Sequence, residues 1–152
     1  MAGEGGLERK GPPSTYHLDE ISIVLTLHPG SPAFSITRLS LSGSGSGLLE
    51  RDGNSAQFPF AKKVLLTLVN ELYKIRFFEL PSDYTTQYSI VLNDDGIIST
   101  SISGMPDDVS TSVCFFVIGY KKCVTYSRQG PLELENMIRR VFAEALTWSS
   151  QR

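Results

Sequence analysis

Residues 58–80, FPFAKKVLLTLVNELYKIRFFEL, constrain the fold of this chain more than any other stretch. Leu65, Leu68, Leu72 and Ile75 step by three and four residues, so they form one stripe on a helix. Lys62, Lys63, Thr67, Asn70, Glu71 and Lys74 take the opposite side. Pro59 suits the first turn of such a helix, and Pro81 forbids its continuation. Phe77, Phe78 and Leu80 then anchor the chain. Burying the stripe stabilises by about 1.5–3 kcal/mol per large aliphatic side chain, against the entropy of ordering the segment.

This helix divides the chain into two similar halves. Ile21, Ile23, Leu25 and Leu27 alternate with Ser22, Val24 and Thr26, as on a half-buried strand. His28-Pro29-Gly30-Ser31-Pro32 breaks that strand. The returning strand covers 34–42. Phe34 and Ile36 have the opposite parity to Leu39 and Leu41, which predicts a bulge near Thr37-Arg38. The stretch 42–47, SGSGSG, is a flexible hairpin tip. Leu48-Leu49-Glu50-Arg51 and the turn Asp52-Gly53-Asn54 follow.

In the second half, 88–92 reads as a strand and Asn93-Asp94-Asp95-Gly96 as a hairpin turn. Ile97, Ile98 and Ile102 mark the return, and 103–110 a loop. Residues 113–118 are apolar at every position, which predicts a central strand covered on both faces. Residues 123–126 are its hairpin partner. Gly130-Pro131 opens a last helix, with Glu133 and Glu135 at its positive end. Leu134, Ile138, Val141, Ala145 and Trp148 form its stripe. The order strands, helix, strands, helix predicts an α+β fold: an antiparallel sheet built from hairpins, with two helices packed on one face. Residues 1–15, rich in Gly, Pro and charge, form a disordered tail, and 16–152 a single domain.

The two cysteines pose a geometric question. A two-residue loop at Tyr120-Lys121 pairs Cys114 with Ser127 and leaves the sulfurs roughly 13 Å apart along the strands. A loop at Ile118-Gly119 brings the cysteines opposite each other, but asks Ile118 for a positive φ that β-branched residues resist. The first register makes Cys114 and Cys123 free thiols. No histidine lies near enough to make a zinc or thiol-nucleophile site.

Composition excludes several function classes. The formal charge is -2, and no basic surplus argues for nucleic acid. The longest apolar run is too short to span a bilayer. The opening MAGEGGLERKGPP has no apolar core, which places the chain in the cytoplasm as it stands, or outside it if a leader has been removed.

The region 21–148 resembles an uncharacterised family of small bacterial α+β domains, many of them exported or lipoprotein-borne. The features that carry the resemblance are Phe34-Ser35-Ile36 before a Gly-containing turn, and Phe77-Phe78-Glu79-Leu80 followed by Tyr84. The Pro106 loop, the hairpin around Gly119 and Lys122, and Pro131-Leu132-Glu133-Leu134 complete it. The family carries a Cys pair in the first hairpin turn, and here that turn has none. The resemblance implies the fold and no activity.

No catalytic or cofactor-binding motif outweighs an ordinary structural role. The Ser-Gly stretch lacks the Lys and the following helix of a phosphate loop. Asp94-Asp95 and Asp107-Asp108 lack the spacing of a calcium loop. His17 and His28 have no fixed acid and nucleophile beside them. What remains is aromatic: with two helices on one sheet face, Phe115, Tyr126, Tyr120 and Tyr88 are the candidate interaction surface, for a protein partner or a homodimer. The functional expectation is a non-enzymatic protein-interaction or structural domain with no cofactor. The alternative is a small hydrolase or metal-dependent enzyme built from dispersed acids.

Overall fold

The computed structural model describes residues 11–29, 36–84, 86–104, 110–127 and 130–150, with the backbone alone for 83–84, 86–91, 100–104 and 149–150. Four strands come first: β1 (Ser22–His28), β2 (Thr37–Ser42), β3 (Ser46–Arg51) and β4 (Asn54–Pro59). Helix α1 (Lys62–Lys74) and a 3-10 turn, Phe77–Glu79, follow. Then come β5 (Asp83–Tyr84), β6 (Thr86–Leu92), β7 (Ile98–Gly104), β8 (Ser110–Val117), β9 (Tyr120–Tyr126) and α2 (Leu132–Ser150). The main sheet has the order β4-β3-β2-β1-β8-β9-β5. Its first six strands are antiparallel to their neighbours, and the short β5 runs parallel to β9. The fold is α+β, as the residue pattern predicts.

Alternation assigns the two faces of the sheet. One transverse row runs Leu49, Leu39, Leu25, Val113 and Val124 across β3, β2, β1, β8 and β9. All five are buried. Leu65, Leu68, Val69 and Leu72 of α1 and Leu134, Met137, Ile138, Val141 and Ala145 of α2 join them in one core. The three- and four-residue steps thus mark the correct stripes. Trp148 closes the α2 stripe half-buried, its ring 5.8 Å from Phe58 and 6.3 Å from Phe60.

The opposite face is hydroxyl-rich. Ser40, Val24 and Cys114 lie in one row, and Ser42, Ser22, Phe116 and Lys121 in another. Small polar side chains leave little apolar area that needs a second helix layer. This is why β8 does not need cover on both faces. Val113, Phe115 and Val117 are buried, while Cys114 and Phe116 are half-buried. Ile118 lies beyond the strand and is exposed.

The cysteines are bonded, not free. Cys114 and Cys123 form a disulfide with 4.1 Å between Cα atoms. The hairpin turn falls at Ile118-Gly119, since Val117 pairs with Tyr120. Only Gly119 has a positive φ there, 81°. The turn is therefore of the kind that asks for a glycine at its second position and leaves the isoleucine unstrained.

Three further boundaries differ from expectation. Pro59 ends β4 rather than opening α1, which starts at Lys62 with Ala61 as its cap. The strand β4 pairs with β3 at the sheet edge, where a proline is tolerated. The strand β2 keeps an unbroken register with β1 from Thr37 to Ser42, without a bulge, and Phe34 lies outside the described residues. Strand β7 extends to Gly104, into the stretch read as a loop. Gly11, Pro12, Pro13 and Ser14 line a cleft with Tyr73 and Phe78.

Candidate interaction surface

The four aromatic residues singled out above go to different places. Phe115 is 0% exposed and Tyr126 6%. Both belong to the helix-covered face, so neither is available to a partner. Tyr120 is half-buried, its ring 6.1 Å from Phe78 and 6.3 Å from Phe115. Tyr88 lies on β6, opposite Ile102.

Tyr120 belongs to a tyrosine cluster under the N-terminal segment. Tyr16 meets Phe115 edge-on at 6.3 Å. The Tyr16 and Tyr73 hydroxyls share a hydrogen bond of 2.7 Å. Burial and that bond push the Tyr16 phenol far above its ordinary value. Burial, with Tyr73 nearby, also raises Tyr120. Tyr126 is raised by burial as well, against a lowering hydrogen bond with Thr111. A phenol held neutral in this way is poorly placed to act as a base near neutral pH.

A cleft of about 270 Å³ lies between α1 and α2, with Leu41, Leu68, Val141 and Trp148 among its lining residues. Glu71 and Arg140 are ion-paired across it. The pair is partly exposed, and Lys63 and Glu144 also line the cleft.

The ribbon β6–β7 is different. It forms a two-stranded sheet of its own. Its register places Tyr88, Ile90 and Leu92 opposite Ile102, Thr100 and Ile98, on one face. Gln87, Ser89 and Val91 stand opposite Ser103, Ser101 and Ser99 on the other. At the tip, Leu92 is 69% exposed, Ile97 58% and Ile98 62%. Between them Asn93-Asp94-Asp95-Gly96 makes the expected turn, closed by Gly96 N–H donating to the Asn93 carbonyl. Asp95 accepts from the Ile97 N–H, a local turn bond that needs no cation. Asp107 and Asp108 lie outside the described residues.

Sequence reasoning passed over this tip because its apolar residues straddle a strong turn signal. Alternation along β6 and β7, laid over their pairing, was the signal that could have found it.

Among the described residues, no group of three or more His, Cys, Asp or Glu could hold a metal ion. Among them, too, no helix is long and apolar enough to cross a membrane. Comparison with protein-family models, with curated proteins and with solved structures finds no match to this chain.

Proposed function

We propose that this chain is a protein-interaction domain whose contact surface is the β6–β7 ribbon. The observation that carries this reading is the tip: Leu92 and Ile98, paired at the end of a two-stranded sheet that pairs with nothing else among the described residues, and Ile97 in the turn beside them, are all exposed. An isolated hairpin is marginal in water and gains stability when its apolar face is covered. Clustered exposed apolar residues on an otherwise well-packed domain are typical of recognition surfaces. Tyr88, already singled out by sequence, falls on the same face of the ribbon. The sheet, helices and disulfide then serve as the scaffold that presents the arm.

A photo-crosslinking group placed at Ile97 tests the reading. A protein adduct is expected at that position, and its yield should fall when Leu92 and Ile98 are changed to serine. If Ile97 gives no adduct while the same group on the polar β4 edge, at Gln57, does, the ribbon is not the contact surface.

A further inference from the structure

The chain carries a second exposed surface whose chemistry complements the ribbon tip. At the β8–β9 turn, Ile118 is 76% exposed. Lys121 is exposed beside it, its ammonium 5.5 Å from the centre of the Phe116 ring. Lys122, by contrast, is half-buried opposite Phe115 on the helix-covered face and donates to the Leu80 carbonyl, so it is not part of this surface. Among the described residues no carboxylate pairs with Lys121. The ribbon tip has the opposite sign: Asp94 and Asp95 are exposed between Leu92 and Ile97-Ile98, and no described cation pairs with them.

We infer that the partner of the β6–β7 tip is the β8–β9 turn of a second copy of this chain, an inference that rests on the ribbon being the interaction surface. Leu92, Ile97 and Ile98 meet Ile118 and the face of Phe116. Asp94 and Asp95 meet Lys121. The apolar contact supplies most of the affinity, and the opposite charges fix orientation and reject like-charged surfaces.

The ribbon is rooted where β5 meets the last residue of β9, Tyr84 opposite Tyr126, and it leads into the start of β8 at Ser110. The Ile118-Gly119 turn is at the other end of the same two strands. The ladder between them runs from the pair Thr111–Tyr126 to the pair Val117–Tyr120, about 20 Å at the usual strand rise. Contact between these two different surfaces either closes as a reciprocal dimer, each tip on the other's turn, or runs head to tail into rings or open chains.

Light scattering over a range of concentrations is the test, on the full chain with its disulfide intact. The average mass of the unmodified protein should rise above that of a monomer as concentration increases, and added salt should weaken the association. Reversing the tip (Asp94→Lys with Asp95→Lys) should weaken it about tenfold or more, and Lys121→Glu should do the same. Combining the three changes in one chain should restore association. Ile118→Ser probes the apolar half independently and should also weaken it. Lys62→Glu with Lys63→Glu, an exposed basic pair at the start of α1, should leave it unchanged. A protein that stays monomeric at every concentration overturns the inference, as does a control pair that weakens association as much as Lys121→Glu. If the chain is monomeric but Ile97 still crosslinks to another protein, only the identity of the partner is overturned. If it is monomeric and Ile97 crosslinks to nothing, the ribbon reading falls too.

Discussion

Cys114 and Cys123 stand directly opposite each other on β8 and β9, bonded across the hydroxyl-rich face of the sheet. They are nine residues apart in sequence, so the bond closes a short loop. A loop of that size contributes about 2–3 kcal/mol by restricting the unfolded chain. Denatured, non-reduced protein should show no free thiol. Replacing both cysteines by serine should lower stability by about that amount while leaving the fold intact, because the Val113–Val124 and Val117–Tyr120 pairs on the ladder remain. A thiol count of two would overturn the disulfide.

The disulfide shows where sequence reasoning stopped. The Ile118-Gly119 loop does not need a positive φ at Ile118, because a turn with a positive φ at Gly119 alone brings the cysteines opposite each other. One residue of slip in a hairpin decides which side chains meet. The helical stripes were legible because three- and four-residue spacing is local. The strand β4 was hidden because Asn54, Ser55 and Gln57 are exposed on an edge and Pro59 resembled a helix start. The ribbon tip was legible only as a turn, since its apolar cluster comes from two strands and appears once their pairing is known.

Phe115→Ala should cost about 3–5 kcal/mol, because Phe115 is fully buried and truncation leaves a cavity beside Phe78 and Tyr120. Leu68→Ala should cost about 2–5 kcal/mol for the same reason. Arg140→Ala should cost no more than about 1 kcal/mol, since its ion pair with Glu71 is partly exposed. Chemical denaturation measures all three. A silent Phe115→Ala would restore that residue to the surface.

Alkaline pH should unfold the protein through its tyrosines. Tyr16, Tyr120 and Tyr126 all have raised values, each chiefly from burial. A group raised in the folded state contributes its full stability below its unfolded value, near 10 for tyrosine, and loses it as pH climbs toward the folded value. Melting temperature should therefore fall steeply above about pH 10. Phenolate absorbance should show a fraction of tyrosine titrating only with unfolding. Tyr16→Phe should remove part of that late fraction and the 2.7 Å bond to Tyr73, at a cost of about 1 kcal/mol. If all tyrosines titrate together near the ordinary value with the fold retained, the cluster is open to water.

Gly43→Ala should be more damaging than a change at the Gly119 turn. A Cβ at Gly43 would lie 1.9 Å from the Leu18 carbonyl oxygen and 2.8 Å from the Asp19 Cα. Both are backbone atoms of the segment that leads into β1, and Gly43 N–H donates to the Ile21 carbonyl at 2.9 Å. The segment cannot retreat without breaking that bond and lifting Tyr16 from Phe115. Gly119→Ala meets no atom within 4 Å and pays only for its positive φ, about 1–2 kcal/mol. Thermal melts of the two variants should rank Gly43→Ala well below Gly119→Ala. Near-ultraviolet circular dichroism should show loss of the Tyr16 environment in the first variant alone. The reverse ranking would mean that residues 16–21 do not rest on the β2–β3 turn.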